Sequence, residues 1–199
     1  TDTKDYDGEE HTVTGYDVEI SKPELYTVAD FTFNGDSIAS RTDVGTDDMG
    51  LAPEQFTNNN TNFDTVTFIV TDGWQKITPI NVVVTITGHT DTKDYDGEEH
   101  TVTGYDVVIS DTLYTVADFT FTPAAGATLV DGVIAATRTD AGTTNMGLAA
   151  EQFANTNGNF ANVTFEVTDG WQKINPIDIT VTIKIGTATS RESGGELVE

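Results

Sequence analysis

The residues best suited to chemistry lie in the stretch KDYDGEEHTVTGY, which begins at Lys4 and recurs letter for letter from Lys93. Each copy contains four acids and a histidine, and carboxylate oxygens are the ligands that calcium prefers. Calcium is therefore the candidate cofactor, held within one copy or shared across the junction between the two copies. The candidate ligands are Asp5, Asp7, Asp91, Asp94 and Asp96.

The spacing of these acids argues against the calcium loop of helix–loop–helix proteins. Asp5-x-Asp7-Gly8 matches the middle of that loop, but Thr3 stands where its first acid belongs and Thr14 where its final glutamate belongs. A single histidine without a second nitrogen or sulfur ligand disfavours zinc. We therefore favour a turn at Asp7-Gly8 whose acids face water, with a calcium site as the alternative.

A covalent cross-link is a second alternative, because a chain without cysteines has no disulfides to stiffen it. A lysine amine near the start of each copy would join an asparagine or aspartate side chain near its end. The candidate pairs are Lys4 with Asn81, and Lys93 with Asp178. We favour the interpretation that all four are ordinary strand residues.

Two tryptophans, Trp74 and Trp171, each follow an Asp-Gly pair. An exposed indole ring could stack on a sugar, which makes these residues candidates for glycan binding. A tryptophan on a strand more often covers its own hydrophobic core, and we favour that interpretation.

No catalytic constellation is present in the sequence. His11 and His100 are duplicates of each other, and His89 lies between the copies. A nucleophile elbow, a phosphate-binding loop and a His-Glu-x-x-His motif are all missing. We therefore predict that the protein is not an enzyme.

The charge of the chain restricts its partners. Asp and Glu total 33 against 9 Lys and Arg, for a formal net charge of -24. Such a charge repels nucleic acid phosphates and anionic lipids, so we exclude both as partners. The sequence also lacks an apolar run long enough to span a bilayer, which excludes membrane insertion.

Internal repetition organises the whole chain. TDTKDYDGEEHTVTGYDV occupies residues 1–18 and 90–107, and TDGWQKI occupies residues 71–77 and 168–174. The offset grows from 89 to 97, so each unit has the size of a small sandwich domain. We predict domains over residues 1–88 and 89–186, followed by a polar tail or linker over residues 187–199.

Apolar and polar residues alternate within each unit, which is typical of strands. Val66, Phe68 and Val70 share one face, and Glu166 of the second copy replaces Ile69 on the other, so that other face is wet. Both Asp-Gly pairs predict two-residue hairpin turns. Single helical turns are predicted at residues 27–30 and 52–55. The pattern predicts an all-β protein.

The strand NVVVTITG at residues 81–88 could close the first domain or open the second. Pro79 precedes it and predicts an edge, a bend or a change of sheet. We assign the strand to the first domain, because the opposite choice would leave its copy at residues 177–186 without a partner and exposed to aggregation.

Several short motifs resemble a known family. They are Tyr6-Asp7-Gly8 followed by HTVTGY, Asp43-x-Gly45-Thr46 with Met49-Gly50-Leu51, and the TDG motif that leads to Ile77-Thr78-Pro79. These motifs resemble the YDG and MBG-type repeats of bacterial surface adhesin-like proteins, especially those of Gram-positive gut bacteria. The resemblance covers nearly the whole of each unit. It implies two tandem Ig-like antiparallel β-sandwich domains joined by a short linker, and it supplies no catalytic residues.

Near-identical neighbouring copies suit a task that scales with length. We therefore expect a structural stalk or spacer at a bacterial cell surface or on a secreted protein, projecting a distal binding domain. Its partners would be the neighbouring repeats of the same chain. The alternative is an adhesin module that binds a host glycan, mucin or protein and is stiffened by calcium.

Overall fold

The computed structural model describes residues 1–186, whose regular secondary structure consists almost wholly of β-strands. This confirms the predicted all-β class; the predicted tail at residues 187–199 lies outside the described residues. Four single 3-10 turns occur at Val28–Asp30, Pro53–Gln55, Val116–Asp118 and Ala150–Gln152, the first two where helical turns were predicted. Within residues 1–186, no helix has the length and apolar character needed to cross a membrane.

Residues 1–79 contain seven strands. They are β1 (Asp2–Asp5), β2 (His11–Thr14), β3 (Phe31–Phe33), β4 (Ile38–Arg41), β5 (Gly45–Asp48), β6 (Phe56–Asn58) and β7 (Trp74–Thr78). They form a three-stranded sheet in the order β1-β7-β5, with β1 parallel to β7, and the two-stranded pairs β2-β4 and β3-β6. We call this part repeat 1.

Residues 80–176 contain eleven strands. They are β8 (Ile80–Gly88), β9 (Thr90–Asp94), β10 (His100–Thr103), β11 (Tyr105–Ile109), β12 (Phe119–Phe121), β13 (Leu129–Val130), β14 (Val133–Arg138), β15 (Gly142–Asn145), β16 (Phe153–Asn155), β17 (Phe160–Thr168) and β18 (Trp171–Asn175). The sheets β15-β18-β9 and β12-β16 match those of repeat 1, and the pair β10-β14 matches β2-β4 with β13 added at its edge. A further sheet, β11-β8-β17, has no counterpart among the described residues of repeat 1. We call this part repeat 2.

The sheet β11-β8-β17 corrects our assignment of the strand at residues 81–88. β8 lies antiparallel to β11 and parallel to β17, and both of these neighbours follow it in the chain. The strand therefore opens the second unit instead of closing the first. Pro79 separates β7 from β8, which belong to different sheets, so of the three alternatives predicted at this proline the chain shows a change of sheet.

Two parallel chain segments run side by side along repeat 2. β8 pairs with β17 in parallel as far as Thr87 and Thr168. Beyond a short break, β9 pairs with β18 in the same register, starting at Thr90 and Trp171. At the crossing from one sheet to the other, the Trp171 N–H donates to the His89 carbonyl (3.1 Å). A Cβ at Gly88 would collide with the backbone of Gly170, so the crossing requires glycine.

The Asp-Gly pairs do not form the predicted hairpin turns. β17 and β18 belong to different sheets, and neither Gly73 nor Gly170 has a positive φ. Asp72 instead accepts hydrogen bonds from the N–H groups of Leu51 (2.8 Å), Gly50 (3.0 Å) and Gly73 (2.8 Å). Partial burial raises the pKa of Asp72, but these donors outweigh it and the pKa lies below its usual value. The Asp72-Gly73 motif therefore holds the segment before β7 against the Met49-Gly50-Leu51 loop by hydrogen bonds.

The two repeats differ in how well their cores are closed. In repeat 2, Val82, Val84 and Ile86 of β8 are at most 1% exposed and pack with eight other buried residues. The corresponding cluster of repeat 1 contains only Ala39, Met49 and Leu51. The three aromatic residues at equivalent positions are buried in repeat 2 but only half-buried in repeat 1: Phe119, Phe153 and Phe160, against Phe31, Phe56 and Phe63. Within residues 1–186, the core of repeat 1 has no strand equivalent to β8.

Replacing Ile86 by alanine tests the placement of β8. Because Ile86 is fully buried, Ile86→Ala should lower the free energy of unfolding of repeat 2 by about 2–5 kcal/mol. Ile183 is its sequence equivalent and is 88% exposed, so Ile183→Ala should leave that free energy unchanged in dilute protein. Urea denaturation at micromolar concentration would measure both, and equal losses would contradict the assignment.

Candidate functional site

The acids of the first copy take part in a local turn. The Asp7 carboxylate accepts the Glu9 N–H (2.9 Å) and lies 3.0 Å from Nε2 of His11. The Glu9 N–H and the His11 side chain hold the pKa of Asp7 below its usual value. Asp5 Oδ1 accepts the Thr78 hydroxyl (2.6 Å). The structure thus uses both candidate calcium ligands to fix the chain.

The second copy repeats this arrangement. Asp96 accepts the Glu98 N–H and contacts His100, which together lower its pKa. Asp91 lies 3.8 Å from the Lys93 amine, and Asp94 accepts the Asn175 amide (3.2 Å). Within residues 1–186, the structure brings no group of three or more His, Asp or Glu residues together as a metal site.

The candidate cross-link residues have other neighbours. The Lys4 amine lies 3.6 Å from Asp2, and Asn81 accepts the side-chain amide of Asn162 (3.0 Å) in the sheet of repeat 2. The Lys93 amine lies beside the Asp91 carboxylate. Asp178 is exposed in a segment without regular structure. The strand assignment that separates Asn81 from repeat 1 removes the reason for pairing it with Lys4.

Both tryptophans are half-buried. Trp74 lies on β7, where the buried positions are Gln75 and Ile77, and Trp171 lies on β18, where they are Gln172 and Ile174. The tryptophans alternate with these residues, so they occupy the opposite face of their strands. They neither enter the core that we expected them to cover nor stand fully open to a ligand.

The sequence did not single out the polar contact between the repeats, which Asn159 makes with two residues of repeat 1. Asn159 of repeat 2 donates from Nδ2 to Asp43 Oδ1 (2.9 Å) and accepts the Val44 N–H at Oδ1 (2.9 Å). Beside it, Tyr6 packs edge-on against Phe160, with ring centroids 5.6 Å apart. Asn159 and Tyr6 therefore hold repeat 1 against the start of β17.

A ladder of asparagines places Asn159. Each N–H group donates to the side chain two residues earlier, from Asn157 to Asn155 and from Asn159 to Asn157, both at 3.0 Å. The ladder is anchored by the Tyr114 hydroxyl, which donates to Asn155 (3.0 Å). The two-residue spacing of the asparagines was the available indication of stacked Asx turns in the sequence.

Both halves of this contact recur at the outer ends of the two repeats. Tyr95, the counterpart of Tyr6, is 40% exposed and lines a cavity with Asp140 and Ala141. At the other end, Asn62 and Phe63 are the counterparts of Asn159 and Phe160. Within residues 1–186, each end thus carries one half of a contact that is complete between the two repeats.

Repeat 1 also contains an open groove between residues 16–20 and residues 65–71. Its volume is about 600 Å³, and Tyr16, Val18 and Phe68 are among the residues that line it. The corresponding segments of repeat 2 are β11 and β17, and β8 lies between them. The groove is the place that β8 fills in repeat 2.

His89 fastens β8 to the next part of repeat 2. Its Nδ1 lies 2.7 Å from the Thr103 carbonyl and its Nε2 lies 3.2 Å from Asp106 Oδ1, so both ring nitrogens face acceptors. The Asp106 carboxylate and the Thr103 carbonyl raise the pKa of His89 above its usual value. Only the protonated ring donates to both.

Comparisons with family models, with curated proteins and with solved structures find no match to this chain. The resemblance to YDG and MBG-type repeats therefore remains a prediction from the motifs.

Removing the Asn159 side chain tests the contact between the repeats. Asn159→Ala should lower the free energy of unfolding by about 1–2 kcal/mol, because one of its two lost hydrogen bonds joins a carboxylate. Asn62→Ala is the matched control and should cost less than about 0.5 kcal/mol in dilute protein, since its counterpart contact is unmade there. Equal effects in urea denaturation would show that Asn159 acts only within its own loop.

The pH dependence of stability tests His89. A histidine whose pKa is raised in the folded state stabilises the fold fully when the pH lies below its pKa in the unfolded chain, near 6.5. This stabilisation is lost as the pH rises through the raised pKa of the folded state. The midpoint temperature of thermal unfolding should therefore decrease as the pH rises from below 6.5 through the raised pKa of His89, and His89→Gln should flatten that slope. Thermal melts across this range would measure it, and an unchanged slope in the variant would rule His89 out as the cause.

Proposed function

We propose that the chain is part of a stalk built from Ig-like β-sandwich repeats, carried by an adhesin-like protein on a bacterial surface. On this proposal its task is mechanical, and its main partners are the neighbouring repeats of the same chain. The observation that carries the proposal is the direct contact between the repeats, made by Asn159 with Asp43 and Val44 and by Tyr6 with Phe160.

The short connection between the repeats supports a stiff array. β7 ends at Thr78 and β8 begins at Ile80, so Pro79 alone separates them. Proline fixes its own φ, and the contact on either side restricts the remaining freedom. A spacer that must keep its length needs such a junction, whereas a flexible linker would let it fold back.

The direction of the strands supports an array that grows along one axis. β8 and β9 together cover residues 80–94 as a nearly continuous extended segment, which corresponds to at most about 50 Å. The chain enters repeat 2 at the start of this segment, and β18, which runs parallel to β9, ends beside its far end. Successive repeats would therefore add length instead of bulk.

The surface chemistry is compatible with an extracellular location. The net charge of -24 keeps neighbouring stalks apart and in solution. The lack of cysteine leaves the fold independent of the redox state of its surroundings.

Adding repeats tests the proposal. A chain in which residues 80–176 are duplicated in tandem should gain about 40–50 Å in maximum dimension for each added copy, measured by small-angle X-ray scattering. A compact particle whose maximum dimension barely grows would contradict a stalk. Specific glycan binding on an array, lost in Trp171→Ala, would replace the stalk with a binding module.

A further inference from the structure

The open groove of repeat 1 and the segment at residues 177–184 are complementary. We propose that residues 177–184 of one copy of the chain dock as a β-strand in the open groove of a second copy, between residues 16–20 and 65–71. The occupant is thus a second copy of this chain, joined head to tail. This interaction does not depend on the proposed stalk function.

β8 provides the template for this docking. It fills the equivalent groove of repeat 2, with β11 antiparallel on one side and β17 parallel on the other. Residues 177–184 are aligned with residues 80–87 of β8 (IDITVTIK against INVVVTIT). The backbone of an added strand would satisfy both edges of the groove, as β8 does.

The inward face of the segment has the required apolar residues. Ile179, Val181 and Ile183 are 86%, 75% and 88% exposed, whereas their counterparts Val82, Val84 and Ile86 are at most 1% exposed. In the register of β8 they would lie opposite residues 66, 68 and 70, and opposite residues 18 and 20 on the other side. Docking would bury a row of aliphatic side chains that water now surrounds.

The polar residues of the segment also match the groove. In repeat 2, Asn162 donates its side-chain amide to Asn81 (3.0 Å). At the equivalent positions, the groove has Thr65 and the segment has Asp178, again a donor facing an acceptor. These paired changes preserve the hydrogen bond in the direction it has within repeat 2.

A charge pair would fix the other end of the segment. Asp106 lies opposite Thr87 in repeat 2. The equivalent residues are Asp17 in the groove and Lys184 in the segment, which have opposite charges. Cross-strand pairs of opposite charge favour one register over its neighbours.

The outer halves of the repeat contact would meet in the same complex. A strand docked from residue 177 brings Tyr95 and Asp140 of one copy to Phe63 and Asn62 of the next, as Tyr6 and Asp43 meet Phe160 and Asn159 within the chain. The contact is heterologous and leaves a groove and a segment unused at the two ends. Growth is therefore open-ended instead of closing at a dimer.

Ile185 sets the limit of the docked strand. It stands at the position of Gly88, where a Cβ would collide with the backbone of Gly170. The equivalent neighbour in the groove is Gly73, so the strand must leave the groove after Lys184. Ile185→Gly should consequently tighten the association.

Sedimentation of the full chain over a range of concentrations tests the docking. The wild type should form head-to-tail oligomers, and Val181→Asp should weaken the association at least tenfold because it places a charge in the buried row. The matched control is Val116→Asp, which changes an exposed valine of repeat 2 outside the groove and should change nothing. Circular dichroism would verify that both variants are folded.

Charge reversal tests the register. Lys184→Glu should weaken the association about two- to fivefold, and the double variant Asp17→Lys with Lys184→Glu should restore it. Failure of the double variant to recover would contradict the register even if oligomers form.

Disulfide trapping identifies the partners directly, since the chain has no cysteine of its own. Glu19→Cys mixed with Thr182→Cys should give a cross-linked heterodimer, because these positions correspond to the opposed residues Val108 and Thr85. Ser21→Cys mixed with Thr182→Cys is the misaligned control. A chain that stays monomeric at all concentrations, or equal cross-linking in both mixtures, would overturn the proposal.

Discussion

The structure depends on one strand being held between two others. β8 is bonded on both edges, to β11 and to β17, and its inward residues Val82, Val84 and Ile86 are at most 1% exposed. A central strand of this kind satisfies its own backbone and that of both neighbours, while its inward side chains close the core. In repeat 1, whose described residues include no counterpart of β8, the flanking segments are not strands and the aromatic core is only half-buried.

This constraint separates the unit that is repeated in the sequence from the unit that folds. The repeated sequence begins at Thr1 and again at Thr90. The first strand of the complete fold nevertheless begins at Ile80, ten residues before the second copy of that sequence. A single proline therefore separates the end of one core from the start of the next. The short connection keeps the repeats in contact and makes an independent hinge between them unfavourable.

An exposed aliphatic strand is ordinarily a hazard, because it can pair with any open sheet edge. In this chain, the exposed strand and the groove that would cover it have matching geometry. The segment at residues 177–184 carries the residues that fit a groove of the β8 type, and the high negative charge of the chain opposes unspecific association. Specific docking and general repulsion together would allow assembly without precipitation.

The sequence alone determined the all-β class, the repetition, the two single helical turns of repeat 1 and the buried face of β17, because these follow from local periodicity and short hydrogen-bonded motifs. It could not determine which repeat β8 belongs to, since period two selects a face but not a neighbour. The role of Asp72, the lock made by Asn159 and the open groove were likewise decided by the tertiary structure. Each depends on backbone segments that lie twenty to more than a hundred residues apart, and only the packing of the core brings them together.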